Sequence, residues 1–395
     1  MNWELKKLGD VCKTSAGGTP LKLHKEYYEN GETPWLLSGE VCQREITESK
    51  KFISKQGLEN SSAKLFPVNT VLIAMYGATA AQCGILKFES TTNQAVCGIL
   101  PNKTFLPEFI YYVFLSKIQE LIAQATGNAQ PNISQKKIKD TKIPVPPLEE
   151  QKRLVEILDE SFAQIEKVEA IARQSLTNVC ELFDSYLEKV LREHRAISQD
   201  KTLKEVSIEF GRGKSKHRPR GDKRLYGGEY PLIQTGDIAD AEHYLTNYSQ
   251  TYNDLGLSQS KLWKKGTVCI AIVGANVAET AILNFDACFP DSVIGVAVDP
   301  SKANNRYLEY LLQSFKSELK EKGKGTARDN INMRTFKNQF FPFPDVKNQA
   351  EIADNLEHLT RETQKLEIIY QRKIKALEEL KQSILQKAFT KQLTQ

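Results

Sequence analysis

From Glu149 to about Arg195 the chain has neither proline nor glycine. Over that stretch Leu154, Leu158, Phe162, Ile165, Val168, Ala172, Leu176, Val179, Phe183, Tyr186 and Val190 cover 36 residues in ten steps. The mean step of 3.6 is the period of one helical face, so the pattern predicts a single long amphipathic helix. From Gln349 to about Phe389, a second set follows a 3–4 spacing: Ile352, Leu356, Leu359, Leu366, Tyr370, Leu377, Leu380 and Ile384, with Thr363 and Lys373 at the remaining seam positions. That is a heptad pattern. At ~1.5 Å per residue each helix is about 65 Å long, and a stripe of that length is not buried by its own helix. The simplest partner is the other helix. The expected arrangement is an antiparallel coiled coil joining Leu158, Ile165, Ala172 and Val179 to Leu356, Leu366, Tyr370, Leu377 and Ile384. Two helices folded separately onto their own domains are the alternative.

Outside these helices the apolar runs are short and bounded by turn residues, as at Thr70–Met75 and Gln94–Leu100. A helix is predicted from Pro107 through Leu121, and Ile143-Pro-Val-Pro-Pro147 must be extended because proline disfavours helix before it. The same markers return later in the same order. Gly77 and Gly274, closing two alike apolar runs, stand 197 apart, while Ile133/Ile331, Pro146/Pro344 and Leu158/Leu356 stand 198 apart. This is a duplicated unit. The predicted fold class is α+β, with two tandem mixed α/β domains and two long antiparallel coiled-coil spacer helices in a pseudo-twofold internal repeat. The boundaries are 1–148, 149–198, 199–345 and 346–395.

Charge sharpens this division. The net charge of +5 splits into +4 over 1–148, −4 over 149–198, +3 over 199–345 and +2 over 346–395. Mild positive charge on the two large units permits nucleic-acid binding, and the acidic helix favours protein contact over phosphate. Seven cysteines without a C-x-x-C pair and five scattered histidines predict neither a disulfide framework nor a metal site. No apolar run approaches the ~20 residues of a membrane span, and no apolar signal core follows Met1, so a cytoplasmic protein is expected.

Catalytic motifs are missing. Gly213-Lys214-Ser215 ends like a phosphate-binding loop, but Ile208 stands where its first glycine belongs. Neither a dinucleotide fingerprint nor the Asn-Pro-Pro-aromatic tetrapeptide of amino-methylating enzymes is found, so no catalytic residue, metal or cofactor is predicted. Other features suit DNA contact. Lys13 and the loop Ser15, Gly17, Gly18 and Thr19 offer small residues, hydroxyls and backbone N–H groups for a phosphate. The counterpart loop carries five cations in nine residues: Arg212, Lys214, Lys216, Arg218 and Arg220. Asn128, Gln130 and Asn132 supply carboxamides suited to adenine, while Arg328, at the place of Gln130, suits guanine, with Asn330 beside it. Tyr76 and Thr79 end the first apolar run, where the copy has Val273 and Asn276. Polar variation at the end of a repeated strand fits base readout. Turn formation by the carboxamides and a core role for Tyr76 remain open at this stage.

Four stretches then carry a resemblance: Ser61-Ser-Ala-Lys-Leu-Phe-Pro…Thr70 to Thr79; Asn93-Gln-Ala; Ala125-Thr-Gly…Gln130-Pro-Asn-Ile-Ser134; and Ile143-Pro-Val-Pro-Pro-Leu-Glu-Glu-Gln-Lys-Arg153. The chain resembles, over its whole length, the specificity subunits of Type I restriction–modification systems. The second half departs from the pattern at Arg328-Asp329 and at Pro342-Phe-Pro-Asp345. The resemblance implies a non-catalytic subunit with two target-recognition domains. Each would read half of a bipartite, asymmetric site in double-stranded DNA, with the helices setting the gap. It also implies two adenine methyltransferase subunits as partners, which supply the S-adenosylmethionine chemistry, and motor-nuclease subunits. A specificity subunit of a methyltransferase-only or other restriction system is the alternative.

Overall fold

The computed structural model describes residues 3–125, 132–217, 219, 221–323 and 330–389. The run after Thr70 becomes the strand Val71–Ala74, in which every residue is buried. Its side chains serve two cores. Val71 and Ile73 face the helix Pro107–Ser116, while Leu72 and Ala74 pack with Leu36, Val41 and Phe66. A strand covered on both faces reads as a continuous apolar run, which is why no alternation is visible here.

That strand is the centre of a five-stranded sheet. Val96–Ile99 and Cys83–Leu86 flank it antiparallel, Thr14–Ala16 forms one edge, and Glu45–Ile46 the other, paired parallel. A second five-stranded sheet has the same order: Ser207–Arg212, Val293–Val298, Val268–Ala271, Thr280–Leu283 and Tyr244–Leu245. The registers repeat pair for pair. Val71↔Ile99 returns as Val268↔Val296, and Ala74↔Val96 as Ala271↔Val293, all displaced by 197 residues. Even a packing detail is copied. A Cβ on Gly98 would come within 2.5 Å of the Phe66 ring, and one on Gly295 within 2.8 Å of the Trp263 ring.

The helix expected through Leu121 is interrupted. It runs Pro107–Ser116, breaks at Lys117 and resumes as Ile118–Ala123; the copy breaks at Phe315 between Asn305–Ser314 and Lys316–Gly323. In both, the serine before the break donates its hydroxyl to the carbonyl three residues back, at 2.7 Å. Such back-bonding bends a helix.

The described residues form two compact units, one within Met1–Arg173 and Arg372–Gln395, the other within Gln174–Gln371. Each unit contains a segment of both long helices, Leu148–Glu193 and Val346–Phe389. In the first, Leu154, Leu158 and Phe162 enter the core together with Leu385 and Ala388. Lys381 meets Glu169 at 3.1 Å and Arg173 meets Glu378 at 3.8 Å, so the segments run antiparallel. In the second, Ile352, Ala353 and Leu356 share a core with Leu187 and Val190, and the Cys180 thiol donates to Glu367 at 3.6 Å. The stripes therefore do both things weighed above: part of each lies on a globular core and part on the other helix.

The seam differs from the heptad count in one respect. Leu158, Ile165, Ala172, Val179 and Leu356 are buried, and Tyr370, Leu377 and Ile384 half-buried, but Leu366 is 39% exposed. Lys373, Leu380 and Val168 are exposed as well, while Glu367, Ile374, Lys381 and Glu169 take the inward places. The cause is polar pairing, since Glu169 accepts from Lys381 and from Arg173 (2.7 Å) and Glu367 accepts from Cys180. The residue opposite Ala172 accordingly lies near Glu378 rather than near Leu366.

Hydrogen bonds from Arg173, then Lys381, hold the Glu169 carboxyl below its usual range. A group so depressed stabilises above its unfolded pKa of ~4.3, and the contribution is lost as pH falls below that value. A double-mutant cycle with Glu169→Gln and Lys381→Met should give a coupling of about 0.5–1 kcal/mol at pH 7 that declines as the pH is lowered below ~4.3, monitored by thermal unfolding.

Candidate nucleic-acid interface

The registers put the variable loops at one end of each sheet. Ala16 pairs with Cys97 and Ala74 with Val96, so the chain leaves the sheet after Ala16 and Ala74 and enters it before Val96 on the same side. In the copy, Arg212 pairs with Ile294 and Ala271 with Val293, giving the same common end.

At that end the central hairpin turns through Gly77–Thr79 and Gly274–Asn276. Gly77 and Gly274 have φ of +80° and +81°, which favours glycine, and even Ala81 and Ala278 are held at +66°. Tyr76, just before the turn, is exposed and does not belong to the core. Thr79 and Asn276 brace the neighbouring loop. The Thr79 hydroxyl donates to Ser38 O at 3.3 Å and the Asn276 amide to Thr235 O at 3.1 Å. Those loops are capped alike, by Glu40 accepting from Leu37 N–H and Asp237 from Gln234 N–H.

The carboxamide loop ends against the same tip. Asn132 bridges to Tyr76 and Asn330 to Val273, both asparagines being exposed. Buried Ile133 and Ile331 anchor them, donating N–H to Met75 O at 2.8 Å and Ile272 O at 3.0 Å. The structure thus gathers Tyr76, Thr79 and Asn132 in one unit, and Asn276 and Asn330 in the other. Asn128, Gln130, Arg218, Arg220 and Arg328 lie outside the described residues.

The two glycine loops differ in what they offer. Gly17 and Gly18 are buried, with their N–H groups donated to Val96 O (3.0 Å) and Thr92 O (2.8 Å). A Cβ on Gly17 would meet Thr92 Oγ1 at 2.0 Å. These glycines are therefore packing residues, and the amides expected to face a phosphate are already used. The Thr19 hydroxyl donates to Gln94, and Ser15 Oγ accepts from Lys64 Nζ at 3.2 Å. Lys13 does not join them. Its carbonyl pairs with Leu100 N–H at the far end of the edge strand, about 13 Å from Gly17 at ~3.3 Å per residue.

In the copy, Gly213 is likewise buried, donating to Val293 O at 2.9 Å. Arg212, Lys214 and Lys216 are exposed and form no ion pair with a described residue. The loop carrying them is tied down behind: His217 N–H donates to Gln259 Oε1 at 3.1 Å, and the His217 ring meets Asp222 at 2.8 Å. Arg224, chelating Asp222, holds that carboxyl well below the carboxylate range.

Ser38, which accepts from Thr79 beside the tip, is a neighbour that the sequence pattern did not single out. Polar residues just outside an apolar strand were the available clue. Among the described residues no helix is long and apolar enough to cross a membrane.

Known proteins share this sequence pattern and this fold. The Type I restriction–modification specificity subunit EcoR124I/EcoR124II of Escherichia coli is 33% identical over 161 residues, 40% of this chain and 40% of that protein. The MjaIX specificity subunit of Methanocaldococcus jannaschii is 22% identical over 367 residues, 87% of this chain and 83% of the relative. A solved chain from work on complex assembly and conformational transition of the type I R-M system has the same fold, with a TM-score of 0.80 at 20% identity, covering 98% of this chain and 97% of that one. The HsdS subunit of Thermoanaerobacter tengcongensis gives 0.60 at 18%, over 99% and 97%. The family model described as the Type I restriction modification DNA specificity domain matches residues 1–174 and again 198–378, one match for each copy of the repeat, and the chain belongs to that family.

Proposed function

We propose that this chain is the DNA-reading subunit of a Type I restriction–modification complex. Residues 1–148 and 199–345 are its target-recognition domains, and 149–198 and 346–395 its spacer helices. The carrying observation is the contrast between ladders repeated pair for pair and tips that differ, Tyr76 against Val273 and Thr79 against Asn276. One scaffold with two unlike tips suits an asymmetric site of two half-sites. Backbone-contacting cations set register, and a few tip side chains read base edges.

The catalytic work belongs to partners in this reading. Two adenine methyltransferase subunits and motor-nuclease subunits dock on the chain, which contributes no chemistry of its own and acts in the cytoplasm. The purified chain alone should transfer no methyl group from S-adenosylmethionine. Reconstituted with its methyltransferase subunits, it should methylate adenines in one bipartite motif, mapped by sequencing. Methylation without any motif would defeat the reading.

Lys214 and Lys216 are assigned to phosphates. Replacing either by alanine should weaken binding uniformly across sequences and reduce the log–log salt slope by ~1, measured by fluorescence anisotropy over a salt series.

A further inference from the structure

The loop beyond Thr19 has a feature that charge alone does not account for. Leu21, Lys22, Leu23 and His24 form a turn closed by His24 N–H donating to Leu21 O at 3.1 Å. It is braced from below. Tyr27 N–H donates to His24 O at 3.1 Å, the Tyr28 hydroxyl to Pro20 O, and the Trp35 indole to Gly18 O at 3.0 Å. On this tied-down crest Leu23 is 94% exposed and Leu21 64%. Leu23 is the most exposed large apolar side chain among the described residues. A lone exposed leucine is ordinary, but two on one fixed turn present a preformed apolar point.

Its surroundings indicate what it meets. The turn follows Gly17–Thr19 at the end of the sheet that carries Tyr76 and Asn132, and exposed Lys22 and Lys25 flank it. The short helix after it, Lys25–Tyr27, returns as Lys223–Leu225, so Pro219 and Gly221 occupy the places of Leu21 and Leu23. The corresponding loop of the copy displays Arg212, Lys214 and Lys216. A loop that carries cations in one copy and an apolar crest between lysines in the other suits a polyanionic partner in both. Only in the first copy does this turn carry leucines, exposed at Leu21 and Leu23.

We propose that Leu21 and Leu23 contact apolar base surface in the half-site read by the first copy. That surface is either a thymine methyl or the face of an opened base step. The assignment rests on the DNA-reading function proposed above.

The test uses the chain assembled with its methyltransferase subunits, comparing wild type with the double variant Leu21→Ser/Leu23→Ser. Both side chains lie outside the core, so the two should melt together. In the variant, one half-site should lose about tenfold preference at one or two adjacent positions, the scale of a single mismatch, while the other half-site is unchanged. Uracil in place of thymine at those positions weakens wild-type binding if a methyl is touched. 2-Aminopurine there brightens with wild type, and not with the variant, if a step is opened. An unchanged motif, or equal loss at both half-sites, overturns the proposal. A wild-type complex that yields no motif at all would instead sink the DNA-reading function beneath it.

Discussion

Replacing Gln151 by alanine should cost about 3–5 kcal/mol of unfolding free energy, the largest single-site effect expected in the first unit. Gln151 is fully buried in the first turns of the helix Leu148–Glu193. Its Oε1 accepts from Leu106 N–H at 2.9 Å, and its Nε2 donates to Thr104 O at 2.8 Å and Pro146 O at 2.9 Å. One amide thus joins the start of the helix Pro107–Ser116, the proline-rich exit strand and the long helix. Alanine would leave three backbone groups without partners, Pro146 O buried and Leu106 N–H and Thr104 O part-buried, each worth roughly 1–3 kcal/mol and the part-buried pair partly relieved by entering water. Glutamate, which cannot donate to the two carbonyls while ionised, should fare no better. Gln349 repeats the arrangement, accepting from Asn304 N–H at 2.8 Å and donating to Pro344 O at 2.8 Å and Lys302 O at 3.3 Å. In urea unfolding, Gln151→Ala should move the transition of the first unit and Gln349→Ala that of the second. A change below about 1 kcal/mol would show that the clamp is dispensable.

Lengthening both long helices should move the methylation motif to a wider gap and reduce methylation at the original spacing to background. Four residues inserted after Ala172 add about 6 Å of helix, equivalent to between one and two base pairs at ~3.4 Å each. The partner insertion belongs near Glu378, because Arg173 meets Glu378 and Lys381 meets Glu169. Insertion near Leu366 would leave the two segments out of step. Both half-sites should keep their bases. If the bases changed and the gap did not, the helices would not act as the ruler proposed for them.

Much of this was legible in the chain before any coordinates. The apolar runs after Thr70 and Thr267 became the central strands, and the repeat displacement near 197 reappeared as matched registers. The unread parts share a physical cause. Counting apolar residues treats Glu169 and Lys381 as outward, so Val168, Leu366 and Leu380 were given places that paired charges occupy. Gln151 stands out in the sequence only as part of the stretch Ile143 to Arg153, since its partners Leu106 and Thr104 lie more than 40 residues away. The small residues of the Ser15–Thr19 loop suggested free amides. Whether Gly17 presents its N–H outward or spends it on Val96 depends on the approach of another strand, which local composition does not encode.

The first unit is discontinuous, and this bears on how the nascent polypeptide matures. Its core includes Leu385 and Ala388, with the Phe389 ring 5.7 Å from that of Phe109, whereas the second unit is a single uninterrupted stretch. Although translated earlier, the first unit gains its closing helical segment only after the whole second unit has been synthesised. The later-made unit holds all its own parts beforehand, so order of synthesis and order of completion are reversed.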